Sequence, residues 1–164
     1  MKIILISLVV LSGVSVSHAQ SFEANLDGFS EVPPNASPAL GSADFTLSGT
    51  NLSIDAGTGV YSDLLGGATT VRLQDAAAGM NGPTLFSFNL DTPGATSGTF
   101  SGFGYLTASQ VTDLQNGNLY VNIASTVFPS GEIRGQLIAA PEPSTIALAG
   151  TGLLGLLAVR RRKA

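Results

Sequence analysis

Carboxylates are the groups in this chain that could do chemistry, and the residues that would assist them are missing. The stretch 20–140 holds ten of the eleven acids, Glu23, Glu31 and Glu132 among them, but no Cys and no His, because the one histidine, His18, precedes it. Thiolate nucleophiles, imidazole bases, disulfides and Cys/His metal sites are therefore excluded together. A Ser nucleophile would need a Lys base, yet the stretch has no Lys and no Gly-x-Ser-x-Gly elbow. A glycosidase needs only two carboxyls, roughly 5 to 9.5 Å apart, and the acids supply candidates, but their spacing sets no pair across a cleft. Calcium would take Asp and Asn oxygens, but no Asp-x-Asp-x-Asp-Gly loop occurs, and Asp55-Ala56-Gly57-Thr58-Gly59 reads as a turn. The expectation is no catalytic residue, no metal and no cofactor.

Glu132-Ile133-Arg134 is the densest charged constellation. In a strand Glu132 and Arg134 share a face while Ile133 enters the core, so the two can bridge to each other or to Arg72 or Asp75. Gly131 and Gly135 on either side indicate tight backbone packing, which favours a structural pair that fixes register over a ligand-contacting one. Only Arg72 and Arg134 are basic between 20 and 140, so ten acids against two cations leave a net charge of −8. Nucleic acid is excluded as a partner, because phosphate binding requires clustered Lys and Arg.

The elements that must carry these residues are mostly strands. Stretches rich in β-branched and aromatic residues, 21–26, 42–47, 51–55, 69–74, 84–90, 98–103, 119–126 and 132–138, alternate with Gly, Asn, Asp and Pro turns. Such spacing predicts an all-β antiparallel sandwich or barrel. Period two sends Phe86, Phe88 and Leu90 inward past Ser87 and Asn89, and in 119–126 it sets Tyr120, Asn122 and Ala124 on a wet face opposite Val121, Ile123 and Ser125. Phe22, Leu26, Phe45 and Ile133 complete the expected core. One short helix interrupts: Thr107-x-x-Gln110 is a capping box, Leu106 and Val111 hold the staple positions, Leu114 continues the apolar face and Gly117 ends it. Val32-Pro33-Pro34 reads as a stiff extended crossover.

Both ends read as addresses. Met1-Lys2, an apolar run over 3–16 and Ser17-His18-Ala19 form a secretory signal peptide over 1–19, cut by signal peptidase between Ala19 and Gln20. At the other end Pro141-Glu142-Pro143 precedes an apolar helix over 144–159 and the tail Arg160-Arg161-Arg162-Lys163. Sixteen helical residues span roughly 24 Å against a hydrocarbon core of about 30 Å, a marginal membrane crossing, and the four cations hold the C-terminus inside. This order closely resembles the PEP-CTERM sorting signal, here 140–164. The resemblance implies processing by a membrane-embedded exosortase in a Gram-negative bacterium that makes exopolysaccharide. It implies transient anchoring through the 144–159 transmembrane helix, then delivery to the cell surface or medium.

Between the addresses, 20–139 resembles the CHRD domain, named after chordin. The likeness rests on Phe22-Glu23-Ala24-x-Leu26-x-Gly28-x-x-Glu31-Val32-Pro33-Pro34, Gly41-x-Ala43, Asn81-Gly82-Pro83, Leu114-x-x-Gly117-x-x-Tyr120-Val121-Asn122-Ile123 and Phe128-Pro129-x-Gly131-Glu132-Ile133-Arg134-Gly135-Gln136, in that order. It implies an immunoglobulin-like or superoxide-dismutase-like sandwich. Many CHRD domains carry His-x-His before the Asn-Gly-Pro turn and another His after Tyr-Val-Asn-Val, a set suggestive of copper or zinc. Here the matching segment is Val71-Arg72-Leu73-Gln74-Asp75, and Ala124 follows Ile123. Arg72 is permanently protonated and cannot replace a neutral ligand.

The sequence thus points to an exported, non-catalytic β-sandwich module associated with exopolysaccharide or matrix components. The alternative is an extracellular hydrolase, glycosidase-like, that uses carboxylates alone. Replacing Pro141, Glu142 and Pro143 with Ala keeps the apolar run and basic tail but removes the rigid acidic box. That variant is expected to stay in the membrane of its native host at full length. Normal maturation, read as the apparent mass of the exported product, would reduce the C-terminal segment to a tether.

Overall fold

The computed structural model describes residues 19–140. The signal segment before Ala19, the Pro141-Glu142-Pro143 box, the 144–159 run and the basic tail lie outside the described residues. Gln20, at the expected cleavage junction, opens the first strand.

In chain order the elements are β1 (Gln20–Asp27), β2 (Leu40–Ser48), β3 (Asn51–Ser62), β4 (Ala68–Asp75), β5 (Thr84–Leu90), β6 (Gly98–Tyr105), α1 (Ala108–Gln115), β7 (Leu119–Ser125), β8 (Ile133–Gln136) and β9 (Ile138–Ala139). Every pairing is antiparallel, and the order β2-β3-β6-β5-β4-β7-β8-β1 closes on itself through β1–β2. Pairing is long within two four-stranded layers, β1-β2-β3-β6 and β5-β4-β7-β8, and thin where they meet. One seam is the single register pair Asp27↔Arg134; the other is Asn89↔Ser101 with Leu90↔Phe100. The result is an antiparallel sandwich stitched at both edges into a flattened barrel. Closure leaves few backbone groups on open edges, and β9 extends the first layer by pairing Phe22↔Ala139 and Glu23↔Ile138.

Alternation puts the core between the layers. Phe22, Ala24 and Leu26 of β1, and Ala43, Phe45 and Leu47 of β2, point inward while their neighbours are exposed. Opposite them stand Val71, Leu73, Val121, Ile123 and Ile133, all at 0 % exposure. Phe88 joins the layers, its ring centroid 5.5 Å from Phe45 and 6.1 Å from Phe100. Phe86 is only partly buried and stands edge-on to Phe88 at 5.2 Å. The helix starts at Thr107, where side chain and backbone complete the capping box with Gln110, and ends through Asn116 into Gly117 at φ 73°. Leu106 and Leu114 enter the core, with Val111 packed against it.

The structure corrects the sequence reading at three places. Residues 55–59 form no turn between strands: β3 runs through them for 12 residues, and its register against β6 slips between Ile54 and Gly59. Gly57 at φ 83° and a Thr58 hydroxyl donating to Asp55 O at 2.9 Å build the bulge. The last expected strand divides into β8 and β9 around buried Leu137, whose N–H turns to Leu119 O at 2.9 Å. And β7 has no wet face; all seven of its residues are buried. Among the described residues no helix is long and apolar enough to cross a membrane.

Because Phe88 touches aromatic rings of both layers, Phe88→Ala opens a cavity that closed sheets cannot collapse around. The expected loss of unfolding free energy is about 3–5 kcal/mol, measured by urea denaturation of residues 20–140.

Candidate functional site

The outer face of β4, β7 and β8 is polar; Tyr120, Asn122 and Arg134 are buried on it, and Arg72, Gln74 and Gln136 are half-buried. Register sets Arg72 beside Asn122 and Asn122 beside Arg134, then Gln74 beside Tyr120 and Tyr120 beside Gln136. Period two sends these side chains away from the apolar core. Two connecting segments, 28–39 and 76–83, fold over this face and supply its hydrogen bonds, which is why the expected wet side of β7 is dry.

Glu132 and Arg134 each hold down part of that cover. Glu132, at 0 % exposure, accepts from Ser37 Oγ at 2.6 Å, Leu65 N at 2.6 Å and Ser125 Oγ, while its backbone carbonyl accepts from Asn35 Nδ2 at 2.9 Å. Arg134, 1 % exposed, lies with its guanidinium carbon 3.4 Å from the Tyr120 ring centroid. It donates to Met80 O at 2.8 Å, Ala77 O at 3.3 Å and Gln136 Oε1 at 2.9 Å. Gln136 Nε2 in turn donates to Gly117 O at 2.7 Å, and Tyr120 OH accepts from Gly82 N at 3.0 Å. Glu132 lies just before β8 and Arg134 within it; the expected bridge between them is not made, and their hydrogen bonds anchor different loops. Asn81 Nδ2, donating to Val32 O at 2.8 Å, ties one loop to the other.

Glu31 sits where the two covering segments meet. Glu31 is 6 % exposed; its Oε2 accepts from Asn122 Nδ2 at 3.3 Å, and its Oε1 has no partner. Asn122, 3 % exposed, leaves its Oδ1 unpartnered too. A Cβ on Gly131 would stand 2.3 Å from Asn122 Nδ2 and 2.6 Å from both of these oxygens, so the glycine is what lets the backbone pack directly against the pair. Burial pushes the Glu31 carboxyl up from 4.5 to about 7, against the opposing pull of the Arg134 cation.

Glu31 and Asn122 are among the residues that line a cleft of about 500 Å³. Its walls are Glu31 with Val32, Pro33 and Pro34, the amides of Asn35, Gln74, Asn81 and Asn122, and Phe128, Ser130 and Gly131. It contains one carboxyl and no cation. A second cleft of about 310 Å³, on the other side of the 31–34 segment, reaches Arg134, Gln136 and the exposed Phe29.

Of the acids singled out in the sequence, Glu23 is exposed on β1, Glu31 lines the cleft and Glu132 is sealed with both oxygens occupied. Asp75 lies near Asp113, which together with burial raises its carboxyl. Sequence reasoning missed Asn122, Ser125, Asn35 and Ser37. The available signal was Asn122 itself, an amide between Val121 and Ile123 in an otherwise apolar strand. Among the described residues no group of three or more His, Cys, Asp or Glu is placed to hold a metal ion. The segment 71–75 and Ala124, where the family resemblance would put histidines, do fall on β4 and β7, with Arg72 and Gln74 on the polar face.

A closed antiparallel sandwich whose polar face is covered by its own loops defines a β-domain. The CHRD domain family matches residues 22–137, well over half of the chain, and the chain belongs to that family. The PEP-CTERM protein-sorting motif matches 139–163. No curated protein and no solved structure matches the chain.

The raised carboxyl of Glu31 makes stability depend on pH. Its folded value, about 7, exceeds the ordinary 4.5, so the fold favours the protonated form. That contribution is complete below the unfolded value and is lost as pH rises through the folded one. Wild type is expected to lose on the order of 3 kcal/mol between pH 4.5 and 8 from this group. Glu31→Gln, neutral throughout, removes that part of the slope and is the more stable protein at pH 8. Parallel stability curves for the two proteins in urea titrations across this range would show that Glu31 does not titrate in the fold.

Proposed function

We propose that this protein is a non-catalytic module that works outside the cell, associated with exopolysaccharide or matrix components through the amide-lined cleft. Its export is indicated by the sorting motif, which marks the chain for exosortase processing and surface sorting in a Gram-negative bacterium. In this reading the 144–159 helix is a temporary anchor. The two four-stranded layers are read as the immunoglobulin-like or superoxide-dismutase-like arrangement, without metal chemistry, since Arg72, Gln74 and Ala124 offer no imidazole.

The observation that carries the proposal is the lining of the larger cleft: four amides, a hydroxyl, an aromatic ring and a single buried carboxyl. Such a surface makes hydrogen bonds and apolar contacts with an uncharged polar partner. It lacks the second carboxyl that glycoside hydrolysis requires, because Glu132 is enclosed and committed to three donors. One feature supports the hydrolase alternative: a carboxyl held near neutrality in a cleft suits a general acid.

One experiment separates the readings. Host-processed protein is mixed with the extracellular polymer of the producing bacterium, sedimented, and the supernatant assayed for reducing ends. Co-sedimentation with no new reducing ends is expected. Protein left in the supernatant would sink the binding proposal, and reducing ends abolished by Glu31→Gln would establish the hydrolase.

A further inference from the structure

We propose that Glu31 and Asn122 form a hydrogen-bonded acid–amide pair, Glu31 Oε1–H donating to Asn122 Oδ1 while Asn122 Nδ2 donates to Glu31 Oε2, and that loss of this one proton releases the 28–35 segment from the sandwich. The pair is a pH-sensitive latch built into the fold. It stands whether or not the clefts bind a polymer.

Half of the pair is made by the bond from Asn122 Nδ2 to Glu31 Oε2 at 3.3 Å. The two remaining oxygens, Glu31 Oε1 and Asn122 Oδ1, are buried acceptors without donors, although nearly all such atoms in folded proteins find partners. Both lie 2.6 Å from one point, the place a Cβ on Gly131 would take, so they are at most twice that distance apart. The Gly131 backbone packs directly against them, which leaves the carboxyl itself as the source of the donor. A protonated carboxyl offers one O–H beside one acceptor oxygen, and a carboxamide offers the same two functions in reverse order, so a single proton on Oε1 satisfies both atoms. Turning the amide over would not serve a carboxylate, because it again sets an amide oxygen against a carboxyl oxygen.

The surrounding charges let the proton stay. Glu31 is the one charged residue of the 28–39 segment, and the 76–83 segment and the 126–131 turn have none. The titratable and charged groups on the neighbouring elements are Asp27 at the end of β1, Arg72 and Asp75 on β4, Tyr120 on β7, Glu132 before β8 and Arg134 within it. Of these, Arg134 is the one that pulls on the Glu31 carboxyl, and burial outweighs it, which places the folded value at about 7 against the ordinary 4.5. The latch is therefore fully closed below the unfolded value and weakens as pH rises through the folded one, when the proton passes to solvent and an anionic oxygen is left facing the amide oxygen. The segment that would loosen is the wall of both clefts, since Glu31, Val32 and Pro34 line each of them. Its other side-chain ties, Asn35 to Glu132 O at 2.9 Å and Asn81 to Val32 O at 2.8 Å, do not titrate.

The test follows host-processed protein, labelled with ¹³C and ¹⁵N, by nuclear magnetic resonance as pH is raised. The Glu31 carboxyl carbon is expected to titrate with a midpoint near the folded value of about 7, and the Asn122 side-chain amide to shift with the same midpoint. The backbone amides of Glu31 and Asn35, which donate to Gly28 O at 3.3 and 3.0 Å, report on the segment through hydrogen exchange. Their protection factors are expected to fall roughly a hundredfold between about pH 5 and 8, while the amides of β1 and β2 keep theirs. Glu31→Gln, whose carboxamide reproduces the protonated pair, should hold the segment's protection across the whole range. A Glu31 midpoint near the ordinary 4.5 would overturn the pair, as would an Asn122 amide that does not respond while Glu31 titrates. Equal protection of the segment in wild type and Glu31→Gln at about pH 8, or a loss spread evenly over the core strands, would overturn the latch. In that case burial of Glu31 would still make global stability depend on pH, and this inference alone falls.

Discussion

The carboxylate of Glu132 is the constraint on which the polar half of this molecule depends. A charge at 0 % exposure is costly to desolvate and survives only with near-complete hydrogen bonding. Here the donors come from three separate parts of the chain, Ser37, Leu65 and Ser125. Meeting that demand pulls the 28–39 segment onto β8 and the 63–67 connection beside it. Ser125 Oγ, which donates to Glu132, also accepts from Phe128 N at 3.1 Å, so the same group shapes the 126–131 turn. That turn presents Phe128, Ser130 and Gly131 to the cleft. Floor and cover of the site are thus fixed by one buried anion that does not itself line it.

Arg134 plays the complementary part with a different economy of contacts. Its planar fork reaches two backbone carbonyls of the 76–83 segment and the amide of Gln136, while its face rests on Tyr120. None of these partners is a carboxylate. Its field still bears on Glu31, where it opposes burial without overcoming it. The outcome is three buried ionisable groups with three fates: an anion saturated by donors, a cation spread over carbonyls and a ring, and a carboxyl left near neutrality with a free oxygen. Only the last belongs to a residue that lines both clefts.

How much of this was legible in the sequence follows from what each signal measures. Alternation in β1 and β2 marked the core because one side of that layer meets solvent, and the Thr107–Gln110 capping box marked α1 because capping is a local interaction. The same alternation in β7 was read as half-wet, and it failed because Tyr120 and Asn122 are covered by segments distant in sequence. No local pattern encodes that contact. The bulge in β3 was misread for a related reason: Asp, Gly and Thr serve equally in turns and in bulges, and only pairing with β6 distinguishes them. At the site, Glu31 and Glu132 were visible as acids, but which one would be sealed and which left open is decided by Ser37, Leu65 and Ser125. Asn122 carried a readable anomaly, an amide inside an apolar strand, whose meaning needed the glycine at 131 to become visible.

The absence of imidazole on the polar face matters more in this setting than in an isolated domain. With Arg72 beside Asn122 and Gln74 beside Tyr120 across β4 and β7, the face presents hydrogen-bonding groups and no imidazole. An exported chain without cysteine has no disulfide to stabilise it, so its two layers must be held by closure and packing. Closure in turn demands that the seams at Asp27–Arg134 and Leu90–Phe100 stay shut. Arg134 therefore has two duties, pairing across the β1–β8 seam through its backbone and pinning the 76–83 segment through its side chain. Because the seam and the loop cover share this residue, the sandwich cannot open at that edge without uncovering Glu31. The stability of the barrel and the shape of the cleft are consequently one property of the chain.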